Sequence, residues 1–110
     1  MLKSAAVLCV ALAVSAPTAQ AQDAVSITLT IKDHRFSPAE IKVPAGKAII
    51  LTVKNEDASA EEFESNGLKV EKVIPGKSTA QIRVKPLAKG RYDFVGEYNE
   101  STAKGVLIAE

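Results

Sequence analysis

Five side chains in this sequence combine the atom types that hold a metal ion: His34, Glu61, Glu62, Glu64 and Glu97. His34 is the only histidine. Glu61, Glu62 and Glu64 crowd with Glu56 and Asp57 into one acidic stretch, and Asp33, Glu71 and Asn99 add further oxygen atoms. An imidazole with several carboxylates is a hard, mixed donor set that suits Fe(II), Mn(II) or Cu(II) better than Cu(I). Carboxylates forced together raise one another's pKa, and a divalent cation relieves that repulsion. The competing reading is a solvated acidic loop, with Lys69, Lys72 and Lys104 as surface partners worth about 0–1 kcal/mol each.

Sulfur chemistry is excluded from the exported form. The single cysteine, Cys9, and the single methionine, Met1, both lie in residues 1–21. That segment reads as a secretory signal: Lys3, an apolar run from Ala5 to Ser15, and Ala19-Gln20-Ala21 as the cleavage site. The run is too short to span a bilayer, so no membrane span is expected after cleavage. Residues 22–110 then form one small domain without thiolate, thioether or disulfide, expected in the periplasm. Fourteen Lys and Arg stand against thirteen Asp and Glu, and Lys3 leaves with the signal. This balance argues against nucleic acid as a partner. With no nucleophilic cysteine and no serine elbow beside His34, hydrolytic triad chemistry is not expected.

The elements that must position these side chains are strands. Val25, Ile27, Leu29 and Ile31 share one face of a period-2 segment, as do Ile41 and Val43, then Ile49, Leu51 and Val53. Ala80, Ile82 and Val84 continue the pattern, followed by Tyr92 and Phe94, then Val106 and Ile108. Pro44-Ala45-Gly46, Asn55-Glu56-Asp57, Pro75-Gly76 and Lys89-Gly90 punctuate them as turns. The spacing predicts an all-β sandwich of about 6–8 strands. Residues 58–72 carry no clear period and are expected to hold a helical turn or a crossing loop.

On these motifs the chain resembles the cupredoxins. Phe36-x-Pro38-x-x-Ile41-x-Val43-x-Ala45-Gly46 is similar to their second strand, and Leu51-x-Val53-x-Asn55 to the next. Pro75-Gly76-Lys77-Ser78 resembles their mid-chain turn, and Gly90-x-Tyr92-x-Phe94 with Gly105-Val106-Leu107-Ile108 their last hairpin. The resemblance implies a Greek-key β-sandwich. It puts the family's copper ligands, two histidines, a cysteine and a methionine, at Glu61, Asn99, Gly96 and near Lys104. All four positions depart from that pattern, so no blue type-1 copper is expected. Lys32–Phe36, Glu61–Ser65 and Phe94–Tyr98 resemble a cysteine-free subgroup of periplasmic cupredoxin-like proteins, the accessory component found with bacterial ferrous-iron permeases. In that subgroup a histidine usually stands at the position of Asn99.

The expectation is a periplasmic metal-handling protein that binds copper or iron through His34, Glu61, Glu62, Glu64 and Glu97. It would serve transition-metal uptake beside a membrane permease or a periplasmic iron-uptake protein. It is not expected to be an enzyme. A metal-free docking domain for a periplasmic or membrane partner is the first alternative, and a copper-dependent Fe(II) oxidase subunit the second.

Overall fold

The computed structural model describes residues 24–110. The expected signal segment 1–21, with Cys9, lies outside the described residues. Among the described residues nine strands make two sheets. In chain order they are β1 (Val25–Lys32), β2 (Arg35–Ser37), β3 (Glu40–Val43), β4 (Ile49–Asn55), β5 (Glu61–Ser65), β6 (Val70–Ile74), β7 (Thr79–Val84), β8 (Gly90–Gly96) and β9 (Lys104–Ala109). A turn of 3-10 helix, Glu97–Asn99, follows β8.

One sheet has the order β2-β1-β4-β7, the other β3-β9-β8-β5-β6. The β1–β4 and β3–β9 pairs are parallel and the remaining pairs antiparallel. The core lies between the sheets. Leu29, Ile31, Leu51 and Val53 come from the first sheet; Phe63, Phe94 and Leu107 come from the second, all at most 2% exposed. Three aromatic rings bridge the layers. Phe36 meets Phe94 edge-on at 5.1 Å and Phe63 at 5.9 Å, while Phe63 and Phe94 stack at 5.1 Å. Such pairs add about 0.5–1.5 kcal/mol beyond the area they bury. Gly105 makes room for this cluster, because a Cβ there would lie 2.2 Å from the Phe94 ring.

Three expectations need correction. Residues 58–72 hold no helix and no crossing loop but the β5–β6 hairpin, paired from Glu61↔Ile74 to Ser65↔Val70. Its alternation is hidden because Glu61, Phe63 and Ser65 point inward, and two of those are polar. The segment Phe36–Val43 is not one strand. It crosses from the first sheet as β2 to the second as β3, with Pro38 between them. In β9 the inward face is Leu107 and Ala109, not Val106 and Ile108. Four apolar residues in sequence give no alternation from which to choose the face.

Candidate metal centre

The acidic site is built by β5 and the turn after β8. Phe63 is buried in the core and lies opposite Gly96 in the β5–β8 pairing. Successive strand residues face opposite sides, so burying Phe63 turns both Glu62 and Glu64 to the outer face. The 3-10 turn begins immediately after Gly96 and brings Glu97 beside them. The carboxylates of Glu62, Glu64 and Glu97 each offer an oxygen within 4.8 Å of the others. Among the described residues this is the one group of three or more acidic, histidine or cysteine side chains so gathered.

Glu62 is only 8% exposed, and its Oε1 has no hydrogen-bond partner. A buried oxygen without a partner carries a desolvation cost that a bound proton or cation would remove. The neighbouring Glu71 carboxyl, then Glu97, then burial push Glu62 up to about 7. Glu97 also raises Glu64 above the usual carboxylate range. Among the described residues no lysine or arginine nitrogen lies within 4.0 Å of these carboxylates. Among the described residues the one contact within 4.0 Å between a basic and an acidic side chain is His34 Nδ1 with Asp57 Oδ2. Tyr98, half-exposed, lies against the same acids: desolvation first, then the charges of Glu62 and Glu97, raise its hydroxyl.

The other two sequence-predicted ligands stand elsewhere. His34 is not in the group. Asp33 and His34 form the two-residue link from β1 to β2, with φ of 51° and 57°. Their backbone N–H groups donate to the Asp57 carboxylate at 2.8 and 3.0 Å, and the imidazole Nδ1 lies 3.6 Å from the same side chain. The first of these contacts in weight, the His34 N–H, holds Asp57 below the usual carboxylate value. Asn55 anchors the supporting loop: its Oδ1 accepts from Asp57 N–H, and its Nδ2 donates to Ser59 and Ile74 carbonyls. The pattern Asn55-x-Asp57 was the readable signal for this turn. The Asp57 cap itself spans 23 and 24 residues and has no local signature.

Glu61 is 2% exposed and points inward. Its Oε1 accepts from the N–H groups of Glu62 (3.0 Å) and Tyr98 (2.9 Å), and its Oε2 from Asn99 Nδ2 (2.7 Å). Glu61, Gly96 and Asn99, three of the positions where the resemblance puts copper ligands, are therefore packed against one another. A Cβ at residue 96 would lie 2.6 Å from Glu61 Cδ and 2.7 Å from Ala103 Cβ. No sulfur is present among residues 24–110, and a sulfur-ligated copper does not fit these residues. The outer carboxylates offer a different donor set, all oxygen, that fits a hard divalent cation.

Two facing sheets with this strand order, and a site at the turn between the last two strands, define a cupredoxin-like sandwich. The cupredoxin-like domain family matches residues 4–109, and the chain belongs to that family. It is 38% identical over 82 residues to an uncharacterized protein of Rickettsia prowazekii (strain Madrid E), covering 74% of this chain and 66% of that protein's length. Among solved structures, the metal binding domain of the Streptococcus pneumoniae D39 Cu(I)-exporting P-type ATPase CopA superposes with a TM-score of 0.69 at 20% identity. That match covers 77% of this chain and 84% of the other. Auracyanin A, a "blue" copper protein from Chloroflexus aurantiacus, gives 0.65 at 17% identity, with 80% and 100% covered. At these identities the likeness is one of fold. Among the described residues no helix is long and apolar enough to cross a membrane.

Proposed function

We propose that this protein handles a divalent transition-metal ion, held by Glu62, Glu64 and Glu97 on the outer face of β5. One observation carries the reading: three carboxylates converge within 4.8 Å around a buried, unpartnered oxygen, and among the described residues no lysine or arginine nitrogen lies within 4.0 Å of them. Copper-binding structures of the same fold support a metal-handling role. The all-oxygen donor set favours Mn(II), Fe(II) or Cu(II) over Cu(I). Export to the periplasm and service to a metal permease belong to the same proposal, resting on the signal-like N-terminus and the Glu61–Ser65 and Phe94–Tyr98 motifs. The role is binding rather than turnover, since oxygen ligands alone support a copper redox cycle poorly. Titration calorimetry of the purified protein with Mn(II), Fe(II) and Cu(II) tests it. At least one ion is expected to bind at micromolar Kd or tighter, near −8 kcal/mol, and Glu97→Gln to weaken that binding tenfold or more. Absence of heat with every ion would defeat the proposal.

A second reading is favoured by what borders the acids. Val73, paired opposite Glu62, is 48% exposed and Tyr98 is 54% exposed, the two large apolar side chains most open to solvent among the described residues. An apolar pair flanking an acidic patch fits a metal-free docking face for a basic partner segment. A protein that binds no ion but loses its partner on Tyr98→Ala and Val73→Ser would follow this reading.

A further inference from the structure

Glu61 is the most completely bonded side chain near the site, yet neither of its oxygens is in the converging group. It faces the opposite side of β5 from Glu62 and Glu64, as strand alternation requires. Its Oε1 accepts the Tyr98 N–H and its Oε2 the Asn99 side-chain amide, so both ends of its carboxylate that reach the 3-10 turn are bonded there. Asn99 is anchored in turn, since its carbonyl accepts the N–H groups of Thr102 (3.1 Å) and Ala103 (2.8 Å). Gly96 leaves the space through which the Glu61 carboxylate reaches this turn. Glu97 is the residue between Gly96 and Tyr98, so these bonds fix where its backbone stands.

We infer that Glu61 is a positioning residue: its buried carboxylate clamps the turn 97–99 to the first residue of β5 and thereby sets Glu97 opposite Glu62 and Glu64. The inference rests on the proposed site for its consequence, but the clamp itself exists with or without an ion. Hydrogen bonds to a charged, buried acceptor are the strong ones, so one carboxylate suffices to hold the turn. Binding geometry tolerates little slack, so loosening the turn lowers affinity even though Glu61 never touches the ion.

Two conservative variants separate positioning from ligation. In Glu61→Gln the Oε1 keeps both N–H donors. The new amide nitrogen finds an acceptor when the Asn99 amide rotates by half a turn, so the clamp survives while the charge is lost. Asn99→Ala removes one clamp bond and no candidate ligand. Mn(II) titration of the full chain is the first readout. Glu61→Gln is expected to bind within about threefold of wild type, Asn99→Ala to lose roughly three- to tenfold, and Glu97→Gln to lose tenfold or more. Amide hydrogen exchange of Tyr98 without metal is the second. It is expected to be protected in wild type and Glu61→Gln, and to exchange at least tenfold faster in Glu61→Ala while the Leu51 and Val53 amides stay protected. Should Glu61→Ala not fold, Asn99→Ala, which removes the Oε2 bond and leaves the Oε1 bond to Tyr98 in place, is expected to speed Tyr98 exchange by a smaller factor, and exchange as slow as wild type there would count against the clamp. A loss in Glu61→Gln equal to that in Glu97→Gln would make Glu61 a ligand and overturn the inference. So would a Tyr98 amide that exchanges equally fast in wild type and in Glu61→Ala, which lacks the Oε1 acceptor. If wild type binds no Mn(II), the titrations are run with Fe(II) and Cu(II); if none of the three binds, the site reading fails alone, and Tyr98 exchange still decides the clamp.

Discussion

Phe63 of β5 lies directly opposite Gly96 of β8, and that one register pair arranges the site. It buries an aromatic ring between two glutamates, turning both outward, and it ends β8 just where Glu97 begins the turn. A slip of one residue would send Glu62 and Glu64 into the core and Glu61 into solvent.

The absence of a side chain at residue 96 is a packing requirement. Gly96→Ala places a methyl 2.6 Å from Glu61 Cδ and 2.7 Å from Ala103 Cβ. We expect a loss of about 1–3 kcal/mol, the cost of overpacking a buried position, read as a lower urea midpoint with unchanged slope. A variant as stable as wild type would mean that the Glu61 side chain moves aside freely.

Stability should fall as pH rises through the neutral range. Glu62 titrates at about 7 in the folded protein, against 4.5 for an ordinary glutamate, so the folded state favours its protonated form. The associated stability is complete below about pH 4.5 and is lost as pH climbs through 7. Glu64 is raised as well, so the midpoint belongs to the pair rather than to Glu62 alone. In Glu62→Gln this slope should flatten and the protein should be more stable than wild type above pH 7. Urea unfolding from pH 4.5 to 8.5 decides; equal slopes in both proteins would count against a repulsive cluster.

Metal and proton compete for the same oxygens. Mn(II) at a hundredfold excess over its Kd should stabilise the folded state by about 2.7 kcal/mol, raising Tm at pH 8 by several degrees. At pH 5.5, below the value of about 7 to which Glu62 is raised, a proton competes at that carboxylate and the rise should shrink, and a chelator should abolish it at either pH. An equal rise in Glu62→Gln would place the ion elsewhere.

Asp57 and His34 should affect folding more than metal. Asp57→Ala leaves two turn N–H groups without their acceptor and is expected to cost about 1–2 kcal/mol. The folded pKa of Asp57 lies below its ordinary value of 3.8, so its contribution is present above that value and lost as pH falls through the folded one. His34→Ala should leave Mn(II) affinity within twofold of wild type, because its imidazole is paired with Asp57. A tenfold loss on His34→Ala, measured by calorimetry, would return the histidine to the metal site.

By itself the sequence determined the fold class and most of the strands, because a half-buried strand needs apolar residues at every second position, and Val25–Ile31, Ile49–Val53 and Ala80–Val84 supply them. It also determined that residues 24–110 hold no sulfur ligand, since composition alone settles that. The β5–β6 hairpin escaped because its inward positions include Glu61 and Ser65, whose polarity is satisfied largely by distant partners: Tyr98 and Asn99 for Glu61, the Asp93 carbonyl for Ser65. Only the tertiary structure decided which glutamates converge. Side chains 35 residues apart meet through strand register, and a lone histidine goes to whichever carboxylate its turn places within reach, here Asp57. Neither choice is encoded in local spacing, because both depend on how two sheets pack and where their last turn closes.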